Sequence, residues 1–244
     1  MKTYQRPSTL MMNGQNSFCP GCMHSIIGRL ISEVLDELGQ ADNAIELMGI
    51  GCCGIRQLYV NIDQMFCAHG RACASATGIK RSRPGNLVFT YQGDGDLASI
   101  GLAETMSAAN RGENFTVIFV NNSTYGMTGG QMAPTTLVGM KATTAPYGRT
   151  EEEHGAPLHM TEVLNTLKAP AYLTRTACNT PANVRKTKAA IKKAFTYQLE
   201  GKGFSMVEIM SNCPTNWGMS PIETLKFMEE NTLKEFPLGE VRAR

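Results

Sequence analysis

The chain has 244 residues and a net charge of +2, from 23 basic and 21 acidic side chains. The length fits one large α/β domain, and the near balance of charge argues against a protein that binds nucleic acid or an anionic membrane. Charged residues make up only 18%, which is weak evidence for a surface buried against partner subunits. Because residues 1–7 lack a signal-peptide core and no apolar run is long enough to span a bilayer, we expect a cytoplasmic protein.

Helices and strands alternate along the predicted structure, and the whole chain, 1–244, is expected to form a single domain. The elements in chain order are an irregular lead-in (1–18), a Cys-Pro-Gly-Cys turn (19–22), a helix (24–39), a strand (44–50), a helix (68–78), a strand (87–92), a helix (97–110), a strand (115–120), a long loop (123–157), a helix (160–167), a strand (171–175), a helix (180–199), a strand (204–209) and a C-terminal helical tail (218–244). This alternation predicts an α/β fold, a mostly parallel sheet with helices on both faces. Ligands bind such sheets at the carboxyl ends of the strands, where the loops after residues 92 and 120 lie.

The first of these loops combines glycines with acidic side chains, in the run Gly93-Asp94-Gly95-Asp96. Glycines let the backbone approach a ligand closely, and the helix that follows offers free N–H groups and its positive dipole end to an anion. An acidic side chain beside a phosphate needs a bridging cation, and Mg²⁺ binds carboxylate and phosphate oxygens together. By itself, however, a Gly-Asp-Gly turn is more often an ordinary tight turn.

The second loop strengthens the prediction, because Asn121 and Asn122 end the next strand and Asn122 follows Asp94 by 28 residues. That spacing accommodates one helix and one strand, so adjacent parallel strands would place Asp94 and Asn122 side by side. A carboxylate oxygen, an amide oxygen and a backbone carbonyl just beyond them would form half of a Mg²⁺ coordination shell.

The two-part motif resembles that of thiamine-diphosphate enzymes. The resemblance implies that the Asp94 side chain, the Asn122 side chain and the Thr124 carbonyl bind Mg²⁺. It also implies a set of cofactor-binding residues: Asp94, Gly95, Asp96, Asn122, Thr124, Tyr125, Gly126, Met127 and Thr128. Within that set, Gly126 would allow close backbone approach, Thr128 would donate to a phosphate oxygen and Met127 would face the thiazolium ring.

Several further sequence blocks narrow the resemblance. In order they are Cys-Pro-Gly-Cys, Gly-Cys-Cys-Gly, His-Gly-Arg-Ala, Gln-Gly-Asp-Gly-Asp-Leu-Ala, Tyr-Gly-Met-Thr-Gly-Gly-Gln and Cys-Pro-Thr-Asn-Trp, between Cys19 and Trp217. Together they resemble the thiamine-binding β subunit of 2-oxoacid:ferredoxin oxidoreductases, especially the 2-oxoglutarate and 2-oxoisovalerate branches. Such enzymes decarboxylate a 2-oxoacid on thiamine diphosphate, pass electrons singly through a 4Fe-4S cluster to ferredoxin, and transfer the acyl group to coenzyme A. The implied partners are an α subunit and, as further candidates, small γ and ferredoxin-like δ subunits.

Eight cysteines in a cytoplasmic protein are unlike a disulfide framework. A cubane cluster needs four converging thiolates, and the Cys19–Cys22 turn brings two sulfurs to one centre. The resemblance implies that Cys52 and Cys213 complete the set. Cys53 departs from the family pattern, which usually has a small polar residue there, so Cys53 competes with Cys52 for the third position.

Two other interpretations of the cysteines stay open. The CxxC turn before a helix is also typical of thioredoxin-like dithiols, and four cysteines also suit structural zinc. The thiamine motif favours iron–sulfur, because a thiamine oxidoreductase without a flavin needs an electron acceptor. The remaining thiols, Cys67, Cys73 and Cys178, are interpreted as buried bystanders.

His69 and Arg71, on either side of Gly70, have two interpretations. They either stabilise the start of the following helix or form a polar wall beside the cofactor, where Arg suits a substrate carboxylate. We favour the second interpretation and predict both as catalytic residues. Some relatives carry a lysine where this chain has Gly129, which weakly favours a monoacid such as a branched-chain 2-oxoacid.

One absence limits the predicted activity. Thiamine activation needs a carboxylate against the aminopyrimidine ring, and no glutamate of this chain stands in a motif for that role. In the family it comes from the α subunit, so we expect this chain alone to be inactive. The alternatives are a non-oxidative thiamine lyase or carboligase, which needs no cluster, and a zinc or thiol binding module.

Overall fold

The computed structural model describes residues 5–244, so residues 1–4 of the predicted lead-in lie outside it. The strands are β1 (Ala44–Met48), β2 (Asp63–Phe66), β3 (Leu87–Gly93), β4 (Thr116–Asn121), β5 (Thr124–Tyr125), β6 (Gln131–Met132), β7 (Tyr172–Ala177), β8 (Ser205–Met210) and β9 (Gly239–Ala243). The α-helices are α1 (His24–Glu37), α2 (Ala72–Ser82), α3 (Leu102–Arg111), α4 (Glu151–His154), α5 (Met160–Asn165), α6 (Pro181–Leu199), α7 (Pro214–Trp217), α8 (Pro221–Phe227) and α9 (Leu233–Glu235). Short 3₁₀ turns occupy Ala41–Asn43 and Cys52–Leu58, and π-helical turns occupy Gly95–Ile100 and Met228–Thr232.

Seven strands form one sheet in the order β2-β1-β3-β4-β8-β7-β9. All neighbours are parallel except β9, which pairs antiparallel with β7. The central strands β4, β7 and β8 are buried along their whole length, because helices cover both faces of the sheet. Two apolar clusters fill the spaces between sheet and helices, one centred on Phe89 and Phe195 and the other on Phe115 and Phe204. The predicted parallel α/β architecture is confirmed.

The five predicted strands are all present, with ends that differ by at most two residues. The predicted capping of α6 is also confirmed, since the Thr180 side chain accepts from the Asn183 N–H and Pro181 stands in the first turn. Two edge strands were not predicted, because β2 and β9 are mostly exposed and lack an apolar pattern. The prediction of a wholly helical tail at 218–244 is therefore wrong: the tail is helical to Glu235 and then closes the sheet edge as β9.

The long loop at 123–157 is held together by the side chain of Arg149, which is 5% exposed. Its guanidinium donates to six backbone carbonyls of the same loop, those of Ala133, Pro134, Thr136, His154, Gly155 and Ala156. These bonds tie the two ends of the loop to each other, although its only regular pieces are the β5–β6 hairpin and α4. Over residues 5–244, no helix combines the length and apolar character needed to cross a bilayer.

Candidate functional site

The carboxyl ends of β1, β3 and β4 lie next to one another, so the loops that follow these strands meet over one cavity of about 100 Å³. The cavity is lined by all nine predicted cofactor-binding residues and by His69. Its other lining residues are His24, Ile50, Gly51, Cys52, Cys53 and Gly93. The sheet topology thus brings the predicted site together from segments that are distant in the sequence.

Asp94 lies at the floor of this cavity and is 2% exposed. Oδ1 accepts from the Gly95 N–H at 2.9 Å, and Oδ2 accepts from the Thr124 N–H at 3.1 Å and the Thr135 hydroxyl at 2.7 Å. Burial raises the pKa of this carboxyl to about 6, against the opposing effect of these hydrogen bonds. Within residues 5–244, no Lys, Arg or His lies within ion-pair distance of it.

Asn122 follows β4 and stands beside Asp94, as the spacing predicted. The side-chain oxygen of Asn122 accepts from the Thr124 N–H at 3.4 Å, and the Trp217 indole donates to the backbone carbonyl of Asn122 at 3.2 Å. A Cβ at Gly126 would lie 3.3 Å from Cys52 Sγ and 3.7 Å from Asn122 Nδ2, so a side chain there would crowd the site. Carboxylate, amide and carbonyl oxygens are the ligand types that Mg²⁺ prefers, so the residues present fit that ion.

Asp96 makes a different set of contacts from Asp94. Its Oδ1 accepts from the Gly70 N–H at 2.8 Å and the Ile50 N–H at 3.2 Å, and Oδ2 accepts from Gln92 Nε2 at 2.5 Å. His69 Nδ1 lies 2.6 Å from Oδ1, with the oxygen off the axis of the ring N–H. The carboxylate thereby joins the loops that follow β1, β2 and β3.

Arg71, predicted as catalytic with His69, does not line the cavity. Its side chain is 48% exposed, forms an ion pair with Glu104 and donates to the Ile100 carbonyl at 3.4 Å. It stands just outside the cavity, at the start of α2.

The four cysteines of the predicted cluster, Cys19, Cys22, Cys52 and Cys213, line a second cavity of about 60 Å³. Gly21, at a positive φ of 76°, closes the CxxC turn, and the Cys22 N–H donates to the Cys19 carbonyl at 3.0 Å. The two cavities share four lining residues: His24, Cys52, Asn122 and Gly126. Only one layer of side chains and backbone therefore separates them.

Burial raises the pKa of Cys22 to about 12 and that of Cys52 to about 11, and repulsion from the neighbouring thiols adds to both shifts. No three His, Cys, Asp or Glu side chains in the described part of the chain converge as the ligands of a single metal ion would. A cubane has a weaker requirement, because each of its four thiolates binds a different iron and they stand farther apart. The four cysteines among the residues that line the second cavity fit such a cluster.

Cys53 points away from the second cavity. Its Sγ donates to the Gly49 carbonyl at 3.3 Å, and it lines only the first cavity. Cys67, Cys73 and Cys178 are also buried, and they line neither cavity.

Sequence reasoning missed three polar residues at the site: Thr135, Asn216 and His24. Thr135 comes from the long loop and bonds to Asp94, while Asn216 donates to the Gly126 carbonyl at 2.7 Å and to Cys213 Sγ at 3.2 Å. Buried His24, whose pKa burial lowers to about 4, contacts the Tyr91 hydroxyl through Nδ1 at 2.6 Å. The Cys-Pro-Thr-Asn-Trp block contained the signal for Asn216, but the other two contacts depend on long-range folding.

The sequence matches the family described as "Thiamine pyrophosphate enzyme, C-terminal TPP binding domain" over residues 49–209. It is 47% identical, over 93% of its length, to ketoisovalerate oxidoreductase subunit VorA of Methanothermobacter thermautotrophicus, and it covers 48% of that protein. The chain thus spans about half the length of its ketoisovalerate relatives. It is 38% identical, over 88% of its length, to 2-oxoglutarate synthase subunit KorB of Methanocaldococcus jannaschii, of which it covers 78%.

A solved structure of an enzyme of the same kind is also similar to this chain. It is 2-oxoglutarate:ferredoxin oxidoreductase from Magnetococcus marinus with 2-oxoglutarate, coenzyme A and succinyl-CoA bound. The match has a TM-score of 0.78 and 30% identity, and it covers 93% of this chain and 73% of that one. The chain therefore belongs to the thiamine pyrophosphate enzymes, among the β subunits of 2-oxoacid:ferredoxin oxidoreductases.

Proposed function

We propose that this chain binds Mg²⁺–thiamine diphosphate and a 4Fe-4S cluster, and that it is a subunit of an enzyme that converts a 2-oxoacid to acyl-CoA and CO₂ with ferredoxin as electron acceptor. The observation that carries the proposal is the pair of adjoining cavities, one lined by Asp94 and Asn122 and the other by four cysteines. A simple lyase needs only the first of these cavities. An oxidoreductase that transfers single electrons needs both, close together.

In the first cavity, Asp94, Asn122 and Thr124 would hold Mg²⁺, and the ion would bind the diphosphate. Asp94 is kept in place by the donors Gly95 and Thr124 and by the Thr135 hydroxyl. When bound, thiamine diphosphate supplies a carbon nucleophile and an electron sink for decarboxylation. The protein's part is to hold the cofactor in position and to exclude water around it.

In the second cavity, Cys19, Cys22, Cys52 and Cys213 would bind the cluster. Hydrogen bonds to the sulfurs set the reduction potential of such clusters, and Asn216 already donates to Cys213 Sγ. Cys52 lines both cavities, so a cluster bound there would border the thiamine cavity directly.

We propose coenzyme A as the acyl acceptor and a branched-chain 2-oxoacid as the substrate. Coenzyme A and an acyl-CoA are bound in the similar Magnetococcus enzyme, and relatives at 46–47% identity are named ketoisovalerate oxidoreductases. Gly129 offers no cation for a second substrate carboxylate. An α subunit is the proposed partner that supplies the activating glutamate, and small γ and ferredoxin-like δ subunits are further candidates.

The test is anaerobic purification of the assembled complex, followed by iron and sulfide counts and a viologen-reduction assay over a panel of 2-oxoacids. We expect iron and sulfide in equal amounts of about four per cluster site. We also expect the highest kcat/KM with a branched-chain oxoacid and a strict requirement for coenzyme A. A colourless complex that decarboxylates without reducing viologen would show a lyase instead.

A further inference from the structure

We infer that Asp96 is a positioning residue, which holds the His69 imidazole so that Nε2 accepts a proton from the substrate in the thiamine cavity. The inference deepens the proposed function and rests on it. This role differs from the one expected from the sequence, in which Asp96 contacts the cofactor.

The contacts of Asp96 leave it no capacity for a cofactor or a metal ion. Its carboxylate is 1% exposed and already receives two backbone N–H groups, from Ile50 and Gly70, and the Gln92 amide. A Cβ at Gly49 would lie only 2.2 Å from Oδ2, so the backbone closes over that oxygen as well. The remaining contact of the carboxylate is His69 Nδ1, at 2.6 Å.

The position of the His69 ring defines which nitrogen is free. Nδ1 is buried and lies 2.6 Å from Asp96 Oδ1, off the axis of a straight hydrogen bond. Because a carboxylate beside Nδ1 favours a proton there, we place the proton of the neutral ring on Nδ1. The ring is 33% exposed and lines the cavity. With the proton on Nδ1, the lone pair that the ring offers is that of Nε2. Tyr125 meets the ring edge-on at 6.4 Å between centroids. The other ionisable groups that line this cavity are Asp94, Cys52, Cys53 and His24.

A proton acceptor is needed at one point of the proposed reaction. When bound, thiamine diphosphate would supply the carbon chemistry of the decarboxylation. Oxidation of the substrate carbon to the acyl product would then release one proton from its oxygen, together with two electrons. We assign the proton to His69 Nε2 and the electrons, one at a time, to the iron–sulfur cluster. The buried negative charge of Asp96 stabilises the imidazolium that results, as a carboxylate does in a Ser-His-Asp triad.

The test compares Asp96→Asn, His69→Gln and a matched control in the assembled complex. His159→Gln is the control, because His159 also contacts a carboxylate, Glu235 at 2.8 Å, but lines neither cavity. We expect both site variants to lower kcat by about 10²–10³-fold with an unchanged Kd for Mg²⁺–thiamine diphosphate. The control should keep its kcat.

A second measurement separates positioning from general damage to the fold. With four histidines in the chain, ¹⁵N spectra of histidine-labelled protein can be assigned by single substitutions. His69 should be protonated on Nδ1 in the natural chain and on Nε2 in Asp96→Asn, where an amide replaces the carboxylate. An unchanged tautomer, or a kcat within about twofold of wild type, overturns the inference. If the natural complex does not bind thiamine diphosphate at all, the proposed function itself fails.

Discussion

At the scale of single residues, the site depends on glycines at positions where a side chain would not fit. Gly95 shows this most directly, because the Tyr125 ring packs where a side chain at position 95 would begin, and the Tyr125 hydroxyl donates to the Gly95 carbonyl at 3.1 Å. A Cβ at position 95 would fall 2.2 Å from a carbon of that ring. The ring cannot move away without disturbing the cavity that both residues line.

Gly95→Ala should therefore weaken Mg²⁺–thiamine diphosphate binding by about 5-fold to 150-fold, the effect of ~1–3 kcal/mol of overpacking. Calorimetric titration of the assembled complex measures this. Gly78→Ala is the control, since position 78 is exposed in α2 with open space around it. That change should leave the affinity unaltered and raise the free energy of unfolding by about 0.5–1 kcal/mol.

The two adjacent cysteines give a second comparison at this scale. Cys52→Ser should lower the iron content to less than about half of wild type, because a cubane needs all four thiolates. Cys53→Ser should retain iron, since its sulfur lies outside the cluster cavity and donates to the Gly49 carbonyl. Iron and sulfide analysis of both variants after anaerobic purification tests which of the two cysteines is the third cluster ligand. The reverse pattern would reassign that role to Cys53.

At the scale of elements, buried ion pairs hold the strand ends that carry the site. Glu208 in the middle of β8 is fully buried and accepts from Asn121 at 2.9 Å, from Thr161 at 2.5 Å and from Arg175 at 2.9 Å. It thereby fixes the end of β4, one residue before Asn122. The geometry of the Mg²⁺ site therefore depends on a strand that contributes no residue to it.

Glu208→Ala should lower the free energy of unfolding by about 1–3 kcal/mol, because it leaves the buried Asn121 amide and the Nε–H of Arg175 without an acceptor, while Arg175 keeps its pair with Glu162. Denaturant unfolding measures the loss. Glu240→Gln is the control, as its pair with Lys193 is 45% exposed on the glutamate side and is worth about 0–1 kcal/mol. Similar losses in the two variants would contradict the role given to Glu208.

A second pair of elements, α2 and α3, is joined by Glu113, which contacts Arg81 and Arg111. Burial alone would raise the pKa of Glu113, but hydrogen bonds from the two guanidinium groups outweigh it, and the pKa is lowered below its usual value of 4.5. The unfolded chain thus takes up this proton at a higher pH than the folded chain. The stabilisation is complete above pH 4.5 and disappears as the pH falls through the lower, folded value.

Glu113→Gln should therefore reduce the free energy of unfolding at pH 7 and have no effect once the pH lies below the folded pKa. The expected size is about 0.5–1 kcal/mol, since Arg81 and Arg111 are 64% and 45% exposed and water screens them. Denaturation midpoints across this pH range test the prediction. A constant difference between variant and wild type would assign the effect to packing.

At the scale of the whole molecule, the sequence predicted the buried parts of the fold better than the edges. Strands β3, β4 and β8 carry apolar runs because they are covered on both faces, whereas β2 and β9 are half open to water and carry no such signal. The same distinction applies to the site. Asp94 and Asn122 could be predicted from their spacing, but the Thr135 and Gln92 contacts arise from packing of a loop and a strand that no local pattern encodes.

The glutamate that thiamine activation needs, and that no motif of this chain supplies, also concerns the whole assembly. We expect the purified chain to give no 2-oxoacid-dependent viologen reduction by itself, and addition of the α subunit to restore it. The physical reason is that the aminopyrimidine ring needs a carboxylate that this chain does not place in any recognised motif. Activity of the isolated chain above the background without substrate would contradict the prediction.

The common wall of the two cavities has a consequence for the loading of the enzyme. Cys52, Asn122 and Gly126 belong to both, so whatever orders this wall from one side changes the free energy of occupation on the other. Thermodynamic linkage makes that influence mutual. Under the proposed function, loss of the cluster would change the affinity for thiamine diphosphate, and bound thiamine diphosphate would change the affinity for the cluster by the same factor.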